Sequence, residues 1–142
     1  MSNFDIRTLA ISKTGEVPVR NASGEKQYDA DGKPLSITVH SPGTKAANAA
    51  QHARNLRNSD RMVNKMQGKA DGKQTADDAT EERAEFLAAI TISFNNFGIE
   101  GLTGKAMFAS VYGDLELGHI ADDVEKYFGD RANFMRPSMA NS

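Results

Sequence analysis

The residues of this chain whose types could do chemistry are three histidines, several acid pairs and two glycine-containing loops. His40, His52 and His119 fall in separate segments. None has the HxxxH or HExxH spacing that sets two ligands side by side on a helix. His119 precedes Asp122 and Asp123 by one helical turn, but a metal site needs three or four converging ligands. The chain has no Cys, which removes thiolate nucleophiles, thiolate metal sites and disulfides. No Ser stands in a Gly-x-Ser-x-Gly elbow. Asp29, Asp31 and Gly32 begin like a calcium loop, yet the Gly comes two positions early and His40 stands where the bidentate Glu is needed. Gly98 to Ala106 (GIEGLTGKA) resembles a phosphate loop. It has five residues rather than four before Gly104-Lys105, Ala106 in place of the magnesium-binding hydroxyl, and Glu100 where phosphates would lie. The acid pairs read as helix-end decoration. The expectation is a protein that is not an enzyme, with no metal and no cofactor.

The elements that would position such residues are legible from periodicity. Residues 4–42 read as β structure: Phe4, Ile6, Leu9 and Ile11 form one apolar set, and Val17 and Val19 alternate with polar neighbours. Leu35, Ile37 and Val39 alternate with Ser36, Thr38 and His40, the period of a half-buried strand. Asp31-Gly32 suits the tight turn of a hairpin. No internal repeat stands out. Ser41-Pro42-Gly43 ends the region, and Thr44 is a fitting N-cap for a helix over 45–66. Ala46, Ala49, Ala53, Leu56 and Val63 form the thin apolar stripe of that helix, and Arg54, Arg57, Arg61 and Lys65 a separate basic face. Residues 67–74 read as a polar linker. A second helix starts at Thr75 or Thr80, with Ala79, Phe86, Leu87, Ile90 and Phe94 on its apolar face, and is expected to run to about Asn96. The alternation of Ile90-Thr91-Ile92-Ser93-Phe94 leaves a strand open there. Thr103 can cap a short third helix that Gly113 breaks. A fourth carries Leu117, Ile120, Val124, Tyr127 and Phe128 and stops at Gly129, before a loose tail from Arg136. The fold class is α+β: an antiparallel β-rich region over 1–43, then a helical region over 44–142 of about four helices, in one compact domain.

Composition narrows the partners. With 142 residues, 39% hydrophobic and 25% charged, the chain has the size and make-up of one ordinary domain. There is neither a signal-peptide run nor eighteen consecutive apolar residues, so cytosolic residence is the expectation and the Asn21-Ala22-Ser23 sequon has no glycosylation role. The formal net charge of −2 hides an asymmetry. Residues 44–74 carry seven basic and two acidic groups, and residues 75–142 five basic and twelve acidic. Either the two parts face each other within the fold, or they form an electrostatic docking surface. Four cations on one helical face could also follow phosphates, but the chain is acidic (pI about 5.9) and has no aromatics interleaved there, which disfavours nucleic acid.

A resemblance adds what these patterns lack. Leu35 to Lys45 (LSITVHSPGTK), Tyr112 to Val124 (YGDLELGHIADDV) and Phe128 to Phe134 (FGDRANF) are similar, in order, to segments of small proteins of tailed bacteriophages and prophages. In place of the usual Asp-Pro-x-Leu turn stands Gly113-Asp114-Leu115. The group looks like tail assembly chaperones. The resemblance implies a non-enzymatic role in tail morphogenesis in the host cytoplasm, binding tape-measure and tail-tube proteins. A virion component of the neck or tail is the alternative. The candidate partner-binding residues are Arg57, Arg61 and Lys65 on the basic face, and Tyr127 and Phe134 as aromatic anchors. Phe128 is read as core. A homo-oligomer remains open.

Overall fold

The strands follow the alternating segments closely. β1 (Thr14–Pro18) and β2 (Ser36–His40) pair antiparallel with Val17 opposite Ile37. Between them the chain makes two successive tight turns built alike. Asn21 Oδ1 accepts from the backbone N–H groups of Ser23 and Glu25, at 3.0 Å each. Asp29 Oδ1 accepts from Asp31 and Lys33 at 2.9 and 2.8 Å. The Asn-Ala-Ser-Gly and Asp-Ala-Asp-Gly segments are thus a short internal repeat, with Gly24 and Gly32 at φ of 86° and 79°, a region open to glycine at little cost. The carboxylate that began like a calcium loop is engaged by its own turn.

The computed structural model describes residues 4–68 and 76–136. Thr75, most of the expected linker and the tail beyond Arg136 lie outside the described residues. α1 spans Lys45–Met66, and Thr44 Oγ1 accepts from the Ala47 N–H at 3.1 Å, as its capping role requires. α2 (Ala76–Ile90) is followed without a loop by β3 (Thr91–Asn95), which pairs antiparallel with β2, Phe94 opposite Ile37. α3 (Gly104–Tyr112), a 3-10 turn at Leu115–Leu117, α4 (Gly118–Gly129) and a last 3-10 turn at Arg131–Phe134 complete the chain. The class is α+β, with a three-stranded antiparallel sheet in the order β1-β2-β3 and four α-helices among the described residues.

Two expectations about the elements are corrected. Residues 91–95 are a strand, not the end of a helix: hydrogen bonding to β2 favours the β-branched run, and the Thr91 side chain closes the helix by donating to the Leu87 carbonyl at 2.7 Å. Residues 6–9 form an exposed 3-10 turn rather than a strand, with Asp5 accepting from the Arg7 N–H at 3.0 Å.

One hydrophobic cluster joins both regions of the chain. Val17, Val19, Ile37 and Val39 of the sheet meet Phe86, Leu87 and Ile90 of α2, Phe108, Val111 and Tyr112 of α3, Val124 of α4, and Phe134. The other face of the sheet is polar, where the Asn95 amide donates to Ser36 and Thr38 at 3.0 and 2.8 Å.

Candidate interaction surface

The candidate partner residues divide sharply in this fold. α1 turns its basic face inward, the reverse of what its apolar stripe suggests. Ala47 and Ala50 are its buried positions, and the next turns of the same face bring Arg54, Arg57 and Arg61 over α2 and α4. Arg57 pairs with Glu85 and Arg61 with Glu82, both on α2. Arg54 reaches Glu125 of α4 at 3.6 Å and lies 5.0 Å from the centre of the Phe86 ring, a cation–π distance. Arg83 of α2 pairs with Asp122 of α4 at 2.6 Å. The charge asymmetry of the sequence is therefore used within the fold, at least for these arginines. Arg57 and Arg61, expected to face a partner, face α2 instead. The Lys65 side chain lies outside the described set.

A substitution tests this arrangement. Changing Arg57 and Arg61 together to Glu sets like charges against Glu85 and Glu82. It is expected to cost about 1–3 kcal/mol, seen as a drop in melting temperature of several degrees, with Arg61 the larger contributor because its pair is the more shielded. An unchanged melting curve would show that these pairs do not hold α1 in place.

The aromatic anchors resolve in the same direction. Phe134 is 1% exposed. Its ring meets that of Tyr127 edge-on at a centroid separation of 5.2 Å, and both lie over Gly15 of β1. A Cβ at position 15 would stand 2.7 Å from Phe134 Cε1 and 2.9 Å from the Tyr127 hydroxyl, so glycine is what allows the close approach. Partial burial pushes the Tyr127 phenol above its usual range, and its hydroxyl donates to the Asn133 carbonyl at 3.2 Å. Phe134, expected to be a partner anchor, is thus a core residue at the edge of the sheet, and Tyr127 packs beside it. Phe128, read as core, is half-buried and meets Phe86 edge-on at 5.6 Å.

The apolar surface that does face solvent lies elsewhere. At the start of the chain Phe4, Ile6 and Leu9 are 71%, 68% and 54% exposed. On α1 the stripe expected to face the core is on the outside, with Leu56 51% and Val63 50% exposed. Its alanines, Ala46, Ala49 and Ala53, are exposed as well. The expected β segment and the expected core face thus both lie in solvent. An apolar periodicity shows that a face is distinct, but not which neighbour it meets.

The three histidines remain apart in the fold: His40 on β2, His52 on α1 and His119 on α4. Among the described residues no three His, Asp or Glu side chains are grouped to hold a metal ion. No helix among them is long and apolar enough to cross a membrane. Comparison with protein-family models, with characterised proteins and with solved structures finds no match to this chain.

Proposed function

We propose that the protein is a non-enzymatic binding protein of phage tail morphogenesis, an assembly chaperone that engages tape-measure and tail-tube proteins. The observation that carries the binding role is the exposed arm at the start of the chain. Three large apolar side chains, Phe4, Ile6 and Leu9, stand in solvent within six residues, the last two on a capped turn. Clustered apolar exposure of this kind marks surfaces that meet other proteins. The naming of the partners rests on the resemblance of residues 35–45, 112–124 and 128–134 to tail assembly chaperones. The arm replaces Arg57, Arg61 and Phe134 as the proposed contact, because those three are engaged inside the fold. On this reading the protein works in the host cytoplasm and needs no cofactor.

Changing Phe4, Ile6 and Leu9 together to Ser is expected to weaken capture of purified tape-measure or tail-tube protein by tenfold or more, with the melting temperature unchanged, since these side chains contribute little to the core. Failure of the wild-type chain to capture any tail protein would overturn the proposal. A second reading, a subunit retained in the virion, is favoured by β3, which among the described residues has a strand on one side only and so offers an edge for strand addition. Mass spectrometry of purified particles separates the two: a chaperone is absent or present in traces, and a subunit is present at fixed copy number.

A further inference from the structure

The outer face of α1 repeats the three-four spacing of its inner face, with small and apolar residues in most of the places where the inner face has arginines. Ala46, Ala49, Ala53, Leu56, Asp60 and Val63 follow one another at intervals of three and four, the a and d positions of a heptad seam, and every one of them is exposed. The seam has a small half and a large half. Ala46, Ala49 and Ala53 come first, then Leu56, Asp60 and Val63. The neighbouring helical positions on the other flank, Ala50, Arg57 and Asn64, turn toward the body of the protein, and Ala50 is buried.

We infer that this face pairs with the same face of a second copy of the chain, with the two α1 helices antiparallel across a two-fold axis. The residue sizes select the direction and the register. In an antiparallel pair a positions meet d positions. The register that sets Ala53 against the partner copy's leucine at 56 also sets Ala49 against its aspartate at 60 and Ala46 against its valine at 63. Every layer then holds one alanine and one larger side chain, so the helices approach closely without leaving gaps. A parallel pair would stack alanine on alanine, valine on valine, and the two Asp60 carboxylates on each other.

Charge supports the same choice. Lys45 and His52 flank the small half of the seam, and Asp60 stands in the large half with no ion pair among the described residues. The antiparallel register sets each Asp60 at a level between the cationic Lys45 and the His52 of the other copy. The seam is about 27 Å long, for eighteen residues at the helical rise. That length is short for an interface of about 1,200–2,000 Å², so the pair belongs to the weak, concentration-dependent class. Self-pairing does not depend on the tail-assembly reading and uses none of the residues of the arm.

Sedimentation equilibrium over a concentration series tests it. The mass of the wild-type chain is expected to rise from 15.4 kDa toward twice that value with concentration. Leu56→Glu is expected to stay monomeric over the whole series with an unchanged melting temperature. Asp60→Lys should weaken association by tenfold or more, because it sets a cation at the level of Lys45 and His52 of the other copy. Orientation is read by disulfide formation, since the chain has no Cys of its own. A mixture of Ala46→Cys and Val63→Cys chains should cross-link into mixed dimers, and either chain alone should not. A wild-type mass that stays monomeric, association that survives Leu56→Glu, or cross-linking by Ala46→Cys alone would each overturn the inference.

Discussion

Replacing Phe134 by Ala is expected to cost about 3–5 kcal/mol, the loss typical of a large aromatic side chain removed from a packed core. Its ring is 1% exposed and lies on the bare backbone of Gly15. The substitution leaves a void between the last 3-10 turn and β1, and the Tyr127 ring loses its edge-on neighbour. The reciprocal change, Gly15→Val, fills the same space from the strand side. Its first side-chain carbon alone would stand 2.7 Å from the Phe134 ring, so the ring must leave its place or the strand must move. That overpacking is expected to cost about 1–3 kcal/mol or more. Chemical denaturation of the two variants reads both effects. A Phe134→Ala chain with wild-type stability but impaired partner binding would mean that the ring serves a partner rather than the core.

The second large effect concerns the junction of α2 and β3. Thr91 Oγ1 gives its only proton to the Leu87 carbonyl at 2.7 Å, so the Tyr112 hydroxyl, also at 2.7 Å, must donate to it. Thr91→Val leaves a buried hydroxyl and a helix-end carbonyl without this partner, at an expected cost of about 1–3 kcal/mol. Tyr112→Phe removes only the outer donor and should cost less, about 0.5–1.5 kcal/mol. In the double variant the orphaned hydroxyl is gone, so its cost should fall below the sum of the single ones. Burial pushes the Tyr112 phenol up to about 12. The folded chain therefore holds this proton more tightly than the unfolded chain. The stability it contributes is whole below pH 10 and is lost as pH rises toward 12, by about 2–3 kcal/mol. The raised Tyr127 phenol acts in the same sense. Denaturation at pH 8, 10 and 11.5 should show the wild type falling more steeply than Tyr112→Phe. Parallel curves would show that Tyr112 does not set the alkaline limit.

Local patterns were legible where local physics decides. The Val17/Val19 and Ile37/Val39 alternations mark β1 and β2, Thr44 caps α1, Gly113 ends α3 and Gly129 closes α4. The repeat of Asn21-Ala-Ser-Gly at Asp29-Ala-Asp-Gly could also have been found by eye, at a spacing of eight residues. The rest depended on distant partners. Phe94 follows Ile90 by four residues, so it fits both a continuing helix and the face of a strand. Only the neighbouring β2 decides between them. On α1 the alanine and leucine stripe looked like a core face because arginines normally stay in solvent. The carboxylates of α2 and α4 and the ring of Phe86 reverse that preference, and no stretch of α1 by itself contains this information. The candidate site moved for the same reason.

The seat of Phe134 on Gly15 also bears on how the chain is made. The β1–β2 hairpin is complete once His40 is synthesised, and its turns need nothing further along the chain. Its apolar face gains its last cover only when Phe134 arrives, ninety-four residues later. At about 5–20 residues per second, Val17, Val19, Ile37 and Val39 wait for that cover for about 5–20 seconds. During this interval the growing chain presents a half-finished sheet to its surroundings. Translation speed across the four helices thereby sets how long the nascent protein needs protection from aggregation.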